Sequence, residues 1–258
     1  MFKKHVISAL VLGFLTGGAN AASLIPPGAN PGGQSASISV MQWMEWTFAF
    51  DNAVDGGNPI SDGNGAFQNL KQTYPVFMMG GATETGVMRS FSMAAGKPLA
   101  IPLFTVSCVS SDGFDCSDSS VTDFVDDWLD SADQLHLEID GTVLVDANTA
   151  GEVDAIEDQL RVASDFFHID VAANNWAGEP KGTWPNSYTD GYFAFVEGLP
   201  IGEHNLSFGG GAPGDPEGFY VGVEANVVVT PVPTALPLLL GGLAALGLVA
   251  RSRRRTRI

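Results

Sequence analysis

The sequence predicts a mainly β body, an antiparallel, jelly-roll-like β-sandwich with two short helices, over residues 39–229. Three observations carry that expectation. Short runs rich in Val, Ile, Phe and Tyr recur between Gly, Pro, Asn and Asp. In "QLHLEIDGTVLVD", Leu135, Leu137 and Ile139 alternate with His136, Glu138 and Asp140, and an Asp-Gly turn then leads into a second run, as in a hairpin. Nine such runs, interrupted by two helical patterns, fit stacked sheets.

The elements follow in chain order. "SLIPPGANPGGQS" is Gly- and Pro-rich and reads as a flexible lead-in over residues 22–38. "SVMQWMEWTFAF" places Val40, Trp43, Met44, Thr47 and Phe48 on one helical stripe, with Ser39 as the expected N-cap and Trp46 and Phe50 off the stripe. "YPVFMMGG", "VMRSFSM" and "KPLAIPLFTV" read as strands. "SSVTDFVDDWLDSADQL" gives a second helix, with Val121, Phe124, Val125, Trp128 and Leu129 on one face and Asp123, Asp126, Asp127 and Asp130 on the other. Ser120 and Asp123 make a capping-box-like start. After the hairpin, "DFFHIDVA", "DGYFAFVEGL", "EHNLSFGG" and "FYVGVEANVVVT" complete the strand set.

The two ends have a different character. Residues 1–21 combine Lys3 and Lys4, a short apolar run and Ala19-Asn20-Ala21, the pattern of a cleaved export signal. That run is too short for the ~20 residues that span a bilayer. Residues 230–258 carry two prolines, an apolar run over 235–250, and Arg251, Arg253, Arg254, Arg255 and Arg257. The arginines stop transfer and mark the cytoplasmic side. The two signals agree on one topology, with the body outside the inner membrane. A plain membrane anchor is the simpler reading of the tail.

The tail "TPVPTALPLLLGGLAALGLVARSRRR" resembles the sorting signals of the PEP-CTERM class, and most closely its Val-Pro-Leu-Pro-Ala subclass. Pro231 and Pro233 match the two prolines of that motif, while Thr230, Val232 and Thr234 depart from its Val, Leu and Ala. The resemblance implies recognition by an exosortase-like membrane protease of a Gram-negative bacterium. The enzyme would remove the tail near the motif and deliver the body to the cell surface or extracellular matrix. The body, from Ser39 to Thr230, resembles a family of secreted bacterial β-rich domains of no assigned activity. The stretches carrying that resemblance include "QWMEWTFAF", "AAGKPLAIPLF", "LHLEIDGT" and "DGYFAFVEGLPIGEHNLSFGG". It implies a secreted β-rich domain and brings no catalytic residue with it.

Charge narrows the function classes. All 29 acidic residues lie in the body against five basic ones, Lys71, Arg89, Lys97, Arg161 and Lys181, a net of about −24. Such a surface disfavours nucleic acid and anionic lipid as partners. Cys108 and Cys116, a close pair in an exported chain, read as a disulfide. No nucleophile elbow, zinc-protease motif or phosphate loop is present.

Two acidic loops offer oxygens to calcium: Asp51, Asp55 and Asp62 in the first, Asp112, Asp115 and Asp118 in the second. Neither has EF-hand spacing, and Asp and Asn are also ordinary turn residues. Trp176, Trp184, Tyr188 and Tyr192 lie in one long stretch and could present flat faces to a glycan or be buried under a folded-back loop. The expectation is a non-enzymatic exported surface or matrix protein without an obligate cofactor. A carbohydrate-binding module of an exopolysaccharide matrix is the alternative, and a hydrolase with an unrecognised carboxylate pair is the third reading.

Overall fold

The computed structural model describes residues 22–26, 28–111, 113–213 and 218–232. The chain is mainly β. Ten strands form two mixed sheets: β1 (Ser23–Ile25), β2 (Phe77–Met78), β3 (Val87–Ala94), β4 (Leu99–Cys108), β5 (Gln134–Ile139), β6 (Thr142–Ala147), β7 (Phe167–Val171), β8 (Gly182–Glu197), β9 (Gly202–Gly211) and β10 (Tyr220–Thr230). Among the described residues four α-helices accompany them: α1 (Ala36–Phe48), α2 (Asn52–Asp55), α3 (Ser119–Asp130) and α4 (Ala150–Leu160). One sheet runs β1-β8-β4-β2 with β7 also on β8, and the other runs β3-β10-β9-β5-β6.

Strand β8 explains the layering. "YFAFV" is apolar at every position, which suits a strand covered on both faces. Successive side chains point to opposite faces. Accordingly Tyr192, Ala194 and Val196 enter the core shared with the second sheet, where Leu137, Leu206, Val223 and Val227 meet them. Phe193 and Phe195 enter a second core under α1, with Trp43, Met44, Trp46 and Phe48. Helix α1 is apolar almost all round, as a buried helix must be. Trp46 and Phe50, off the expected stripe, are buried as fully as the residues on it.

Several expectations are corrected. The sheets are mixed, not wholly antiparallel in jelly-roll fashion, because β3 runs parallel to β10 and β2 parallel to β4. Each parallel pair is joined by a long connection, which parallel pairing requires. The lead-in belongs to the fold: Ser23–Ile25 pairs with β8, Ile25 is buried, and Pro31–Gly33 forms a 3-10 turn. Helix α1 therefore starts earlier, with the Ser35 side chain accepting from the Ile38 N–H, and Ser39 is buried inside it. Asp118, not Ser120, caps α3. Helix α4 was not expected; Thr149 caps it, and it buries just Val153 and Leu160.

Asp140 and Gly141 close the β5–β6 hairpin with φ of 51° and 76°, as the Asp-Gly signal requires. Cys108 and Cys116 are joined in a disulfide beside α3. Arg161 binds Asp126 and Asp130 of α3, Glu157 of α4 and Asp190 of β8 at 2.6–3.0 Å, drawing together elements that are otherwise like-charged. Among the described residues no helix is long and apolar enough to cross a membrane. The export signal (1–21), the apolar run (235–250) and the five terminal arginines lie outside the described residues.

Candidate functional site

Strand β4 is paired to β8 along its length, but its other edge meets β2 just at Leu99 and Ala100. Beyond Ala100 that edge has no strand partner among the described residues. Pro102 stands there without an N–H to leave unpaired, a common guard on open edges. A groove of about 270 Å³ runs along this edge, lined by Pro102–Ser107 of β4, Gly81–Thr83, Trp43 of α1, Trp128 of α3, Trp176, and Phe219 and Val221. It opens where the α1 layer and the second sheet leave β4 uncovered.

The aromatic wall is held from several directions. Trp43 is buried, donates from Nε1 to the Met79 carbonyl at 2.8 Å, and meets Phe193 edge-on. Trp128 is 37% exposed at the mouth. Its ring lies 6.2–6.4 Å, centroid to centroid, from Phe104, Phe219 and Phe124, and Phe124 is itself exposed. Helical spacing explains this: Phe124 and Trp128 are four apart, on one ridge of α3. Trp176 packs on Phe48 at 5.2 Å, and its buried Nε1 has no hydrogen-bond partner among the described residues. Thr83, Thr105 and Ser107 supply the groove's hydroxyls, and its lining contains no charged side chain.

The Gly80-Gly81 wall is fixed from behind by Arg89. This guanidinium is 2% exposed and donates to the carbonyls of Ile60, Asp62, Gly80 and Gly81. Burial pushes its pKa down to about 10, with the nearby Asp62 opposing. Gly80 has no room for a side chain, since a Cβ there would lie 2.2 Å from the Pro59 carbonyl.

The expected site residues fare unequally. Of the proposed glycan-facing set, Trp176 lines the groove. Trp184 donates to the Pro180 carbonyl and borders a separate shallow pocket with Phe114 and Asn186. Tyr188 and Tyr192 are buried in the shared core, with pKa values pushed up to about 12 by burial and nearby carboxylates, so they cannot touch a ligand. The reason is that residues 182–197 form one strand instead of a loop. Trp43, Phe104, Trp128 and Phe219 were missed as a set, because they come from four distant stretches.

The calcium candidates serve local structure. Asp51 caps α2, Asp55 pairs with Lys71, and buried Asp62 accepts the N–H groups of Asn64 and Phe67. Asp115 accepts from Ser117, and Asp118 caps α3. Asp112 lies outside the described residues. Among the described residues no group of three His, Cys, Asp or Glu side chains is placed to hold a metal ion. In the tail, Thr230 ends β10 and is tied to β3 through the Met93 carbonyl and the Ala95 N–H. Pro231 and Val232 follow it exposed, while Pro233 and Thr234 lie outside the described residues. No protein-family model, curated protein or solved structure matches the chain.

Proposed function

We propose that the protein is an exported, non-enzymatic component of a bacterial surface or extracellular matrix, and that its body is a sandwich that binds carbohydrate in the groove along β4. The observation that carries the binding reading is the pair of accessible indoles in the groove lining, Trp128 and Trp176, with Trp43 buried behind them and with hydroxyls and no charge in the lining. Sugar rings present C–H faces that stack on indoles, and their hydroxyls need hydrogen-bond partners such as Thr83, Thr105 and Ser107 of the lining. The groove's lining carries no carboxylate, which favours holding a chain over cleaving it. Delivery rests on the two terminal signals. An exosortase-like protease would act at the exposed residues just after β10, because Thr230 is held in the sheet.

A glycan array on the full-length chain in detergent tests binding. Trp128→Ala, at a partly exposed position, is expected to remove the signal while the melting temperature changes little. Retained binding in that variant rejects the groove. For delivery, surface-extracted protein is expected to lack everything beyond about residue 234, and Pro231→Ala with Pro233→Ala is expected to leave the full-length form in the inner membrane. A mature surface protein that still carries the arginine tail would make the segment a plain anchor.

A further inference from the structure

Just beyond the end of β4 lies a pocket of about 390 Å³ that shares no residue with the groove. Asp115 and Asn186 meet there, with Phe114 and Trp184 in its walls. We propose that this pocket is a second binding site, which takes the terminal residue of a neutral glycan. Two adjacent sugar hydroxyls would meet the Asp115–Asn186 pair, and the sugar ring would lie on the aromatic wall. The proposal goes beyond the groove reading and does not depend on it. The parts of the pocket are held in advance. The Ser110 N–H donates to Ser187 Oγ, and Ser110 Oγ accepts from the Cys116 N–H at 2.8 Å. The Cys108–Cys116 disulfide closes the same loop, so Phe114 and Asp115 sit on a short span tied at both ends. Opposite them β8 bulges, since His168 of β7 stands against both Pro185 and Asn186. Such a bulge re-aims a side chain, and Asn186, at φ 53°, takes the left-handed conformation that Asn tolerates. Trp184 donates from Nε1 to the Pro180 carbonyl at 2.8 Å, and its half-buried ring rests against Gly182, where a Cβ would lie 3.1 Å away. Phe114 is 53% exposed.

The polar pair selects the ligand. Asp115 Oδ1 accepts from the Ser117 N–H, the Ser117 hydroxyl and Asn186 Nδ2, the last at 3.4 Å. Its Oδ2 has no hydrogen-bond partner among the described residues. The Ser117 bonds hold the carboxyl below the usual carboxylate range, so it is ionised and accepts without donating. Asn186 adds a further amide N–H and a carbonyl oxygen, neither with a partner among the described residues. A hydroxyl both donates and accepts, so a sugar hydroxyl can give its proton to Asp115 and take one from Asn186. An ammonium group would satisfy the carboxylate but offer nothing to the amide N–H. A carboxylate or phosphate on the ligand would be repelled by Asp115. The rings of Phe114 and Trp184 supply the apolar surface on which sugar C–H groups pack.

The test uses the full-length chain in a zwitterionic, sugar-free detergent. The probes are the methyl glycosides of mannose, galactose and glucose, with tetramethylammonium as a cationic control, all read by saturation-transfer NMR. At least one glycoside is expected to bind with a dissociation constant on the order of 1–10 mM. Asp115→Asn and Asn186→Gly, separately, are expected to weaken it about tenfold or more, since each removes one half of the hydroxyl pairing. Glycine keeps the left-handed backbone at 186, so the fold is retained, which an unchanged melting temperature checks. On the unaltered protein, the deoxy analogue that lacks one hydroxyl of the bound pair is expected to lose binding to a similar extent. Trp128→Ala, in the groove, is expected to leave it unchanged. Binding that survives both pocket variants and disappears in Trp128→Ala overturns this site and keeps the groove. No binding of any glycoside at about 50 mM by folded protein overturns the site whatever a glycan array shows for the groove. Tetramethylammonium binding as tightly as the best glycoside, and lost in Asp115→Asn, would make the pocket a cation site and reject the sugar.

Discussion

Arg89 and Arg161 sit in one strongly acidic body, yet their surroundings are opposites. Arg89 is sealed from water and bonded to four main-chain carbonyls, with no carboxylate in direct contact. Arg161 is bonded to four carboxylates, of which just Asp190 is well buried. The first shapes a loop: its donors replace water for carbonyls that would otherwise be orphaned, and so fix the Gly80-Gly81 wall of the groove. The second cancels repulsion among α3, α4 and β8. Burial works against its charge, but its carboxylates outweigh burial and raise its pKa further. His204 is an intermediate case, facing one carboxylate, Asp140 at 2.7 Å, and one carbonyl, Pro200 at 2.8 Å.

The contrast can be broken in order of effect. Arg89→Met is expected to cost about 3–5 kcal/mol in urea unfolding, since several buried carbonyls lose their donor at once. Salt would not restore it, because the loss is of hydrogen bonds inside the protein. A loss below about 1 kcal/mol would show that water enters and satisfies the loop. Arg161→Met is expected to cost less, about 1–3 kcal/mol. Asp126, Asp130 and Glu157 are more than a third exposed and contribute little, leaving the buried Asp190 as the main loss. Here added salt is expected to recover part of the loss by screening the freed carboxylates. Equal salt responses in the two variants would erase the distinction.

His204 gives a smaller, pH-dependent effect. Both of its ring nitrogens face acceptors, so both bonds form when the ring carries two protons. Burial opposes that charge, but the bonds to Asp140 and Pro200 outweigh it and hold the pKa above the ordinary 6.5. A raised folded-state pKa means stability that is fully present below about pH 6.5 and lost as pH rises through the folded value. Unfolding free energy is therefore expected to fall across that window, and the fall to vanish in His204→Asn. Asp140, lowered against burial by His204 and the Asn205 N–H, works at the other end. Its contribution is lost as pH falls through its depressed pKa. A wild-type profile flat above pH 6.5 would contradict the assignment.

The smallest effect concerns divalent ions. With the described candidate aspartates engaged in caps, turns and a pair with Lys71, calcium and magnesium are expected to raise the melting temperature equally, by screening. A shift peculiar to calcium would reveal a dedicated site.

Much of the architecture is legible in the chain because it depends on local chemistry. Alternation and the Asp-Gly turn place the β5–β6 hairpin, and the Phe124–Trp128 spacing places the face of α3. Even there, caps were displaced by a few residues, since several Ser and Asp could each accept the first N–H groups of the helix. The lead-in was misread because Gly and Pro report local freedom, whereas its strand is held by an edge of β8 far along the chain.

By itself the sequence determined the mainly β character, the close cysteine pair and the acidity of the body, all of which follow from composition and near-neighbour spacing. Tertiary structure alone decided that β3 lies parallel to β10, that Tyr188 and Tyr192 face inward, and which two arginines meet carbonyls or carboxylates. It also decided the groove, whose Trp43, Trp128, Trp176 and Phe219 come from separate elements. Local patterns specify which face of an element is apolar. Which other element covers that face, and which strand edge stays uncovered, is set by long-range packing that no short window of sequence contains.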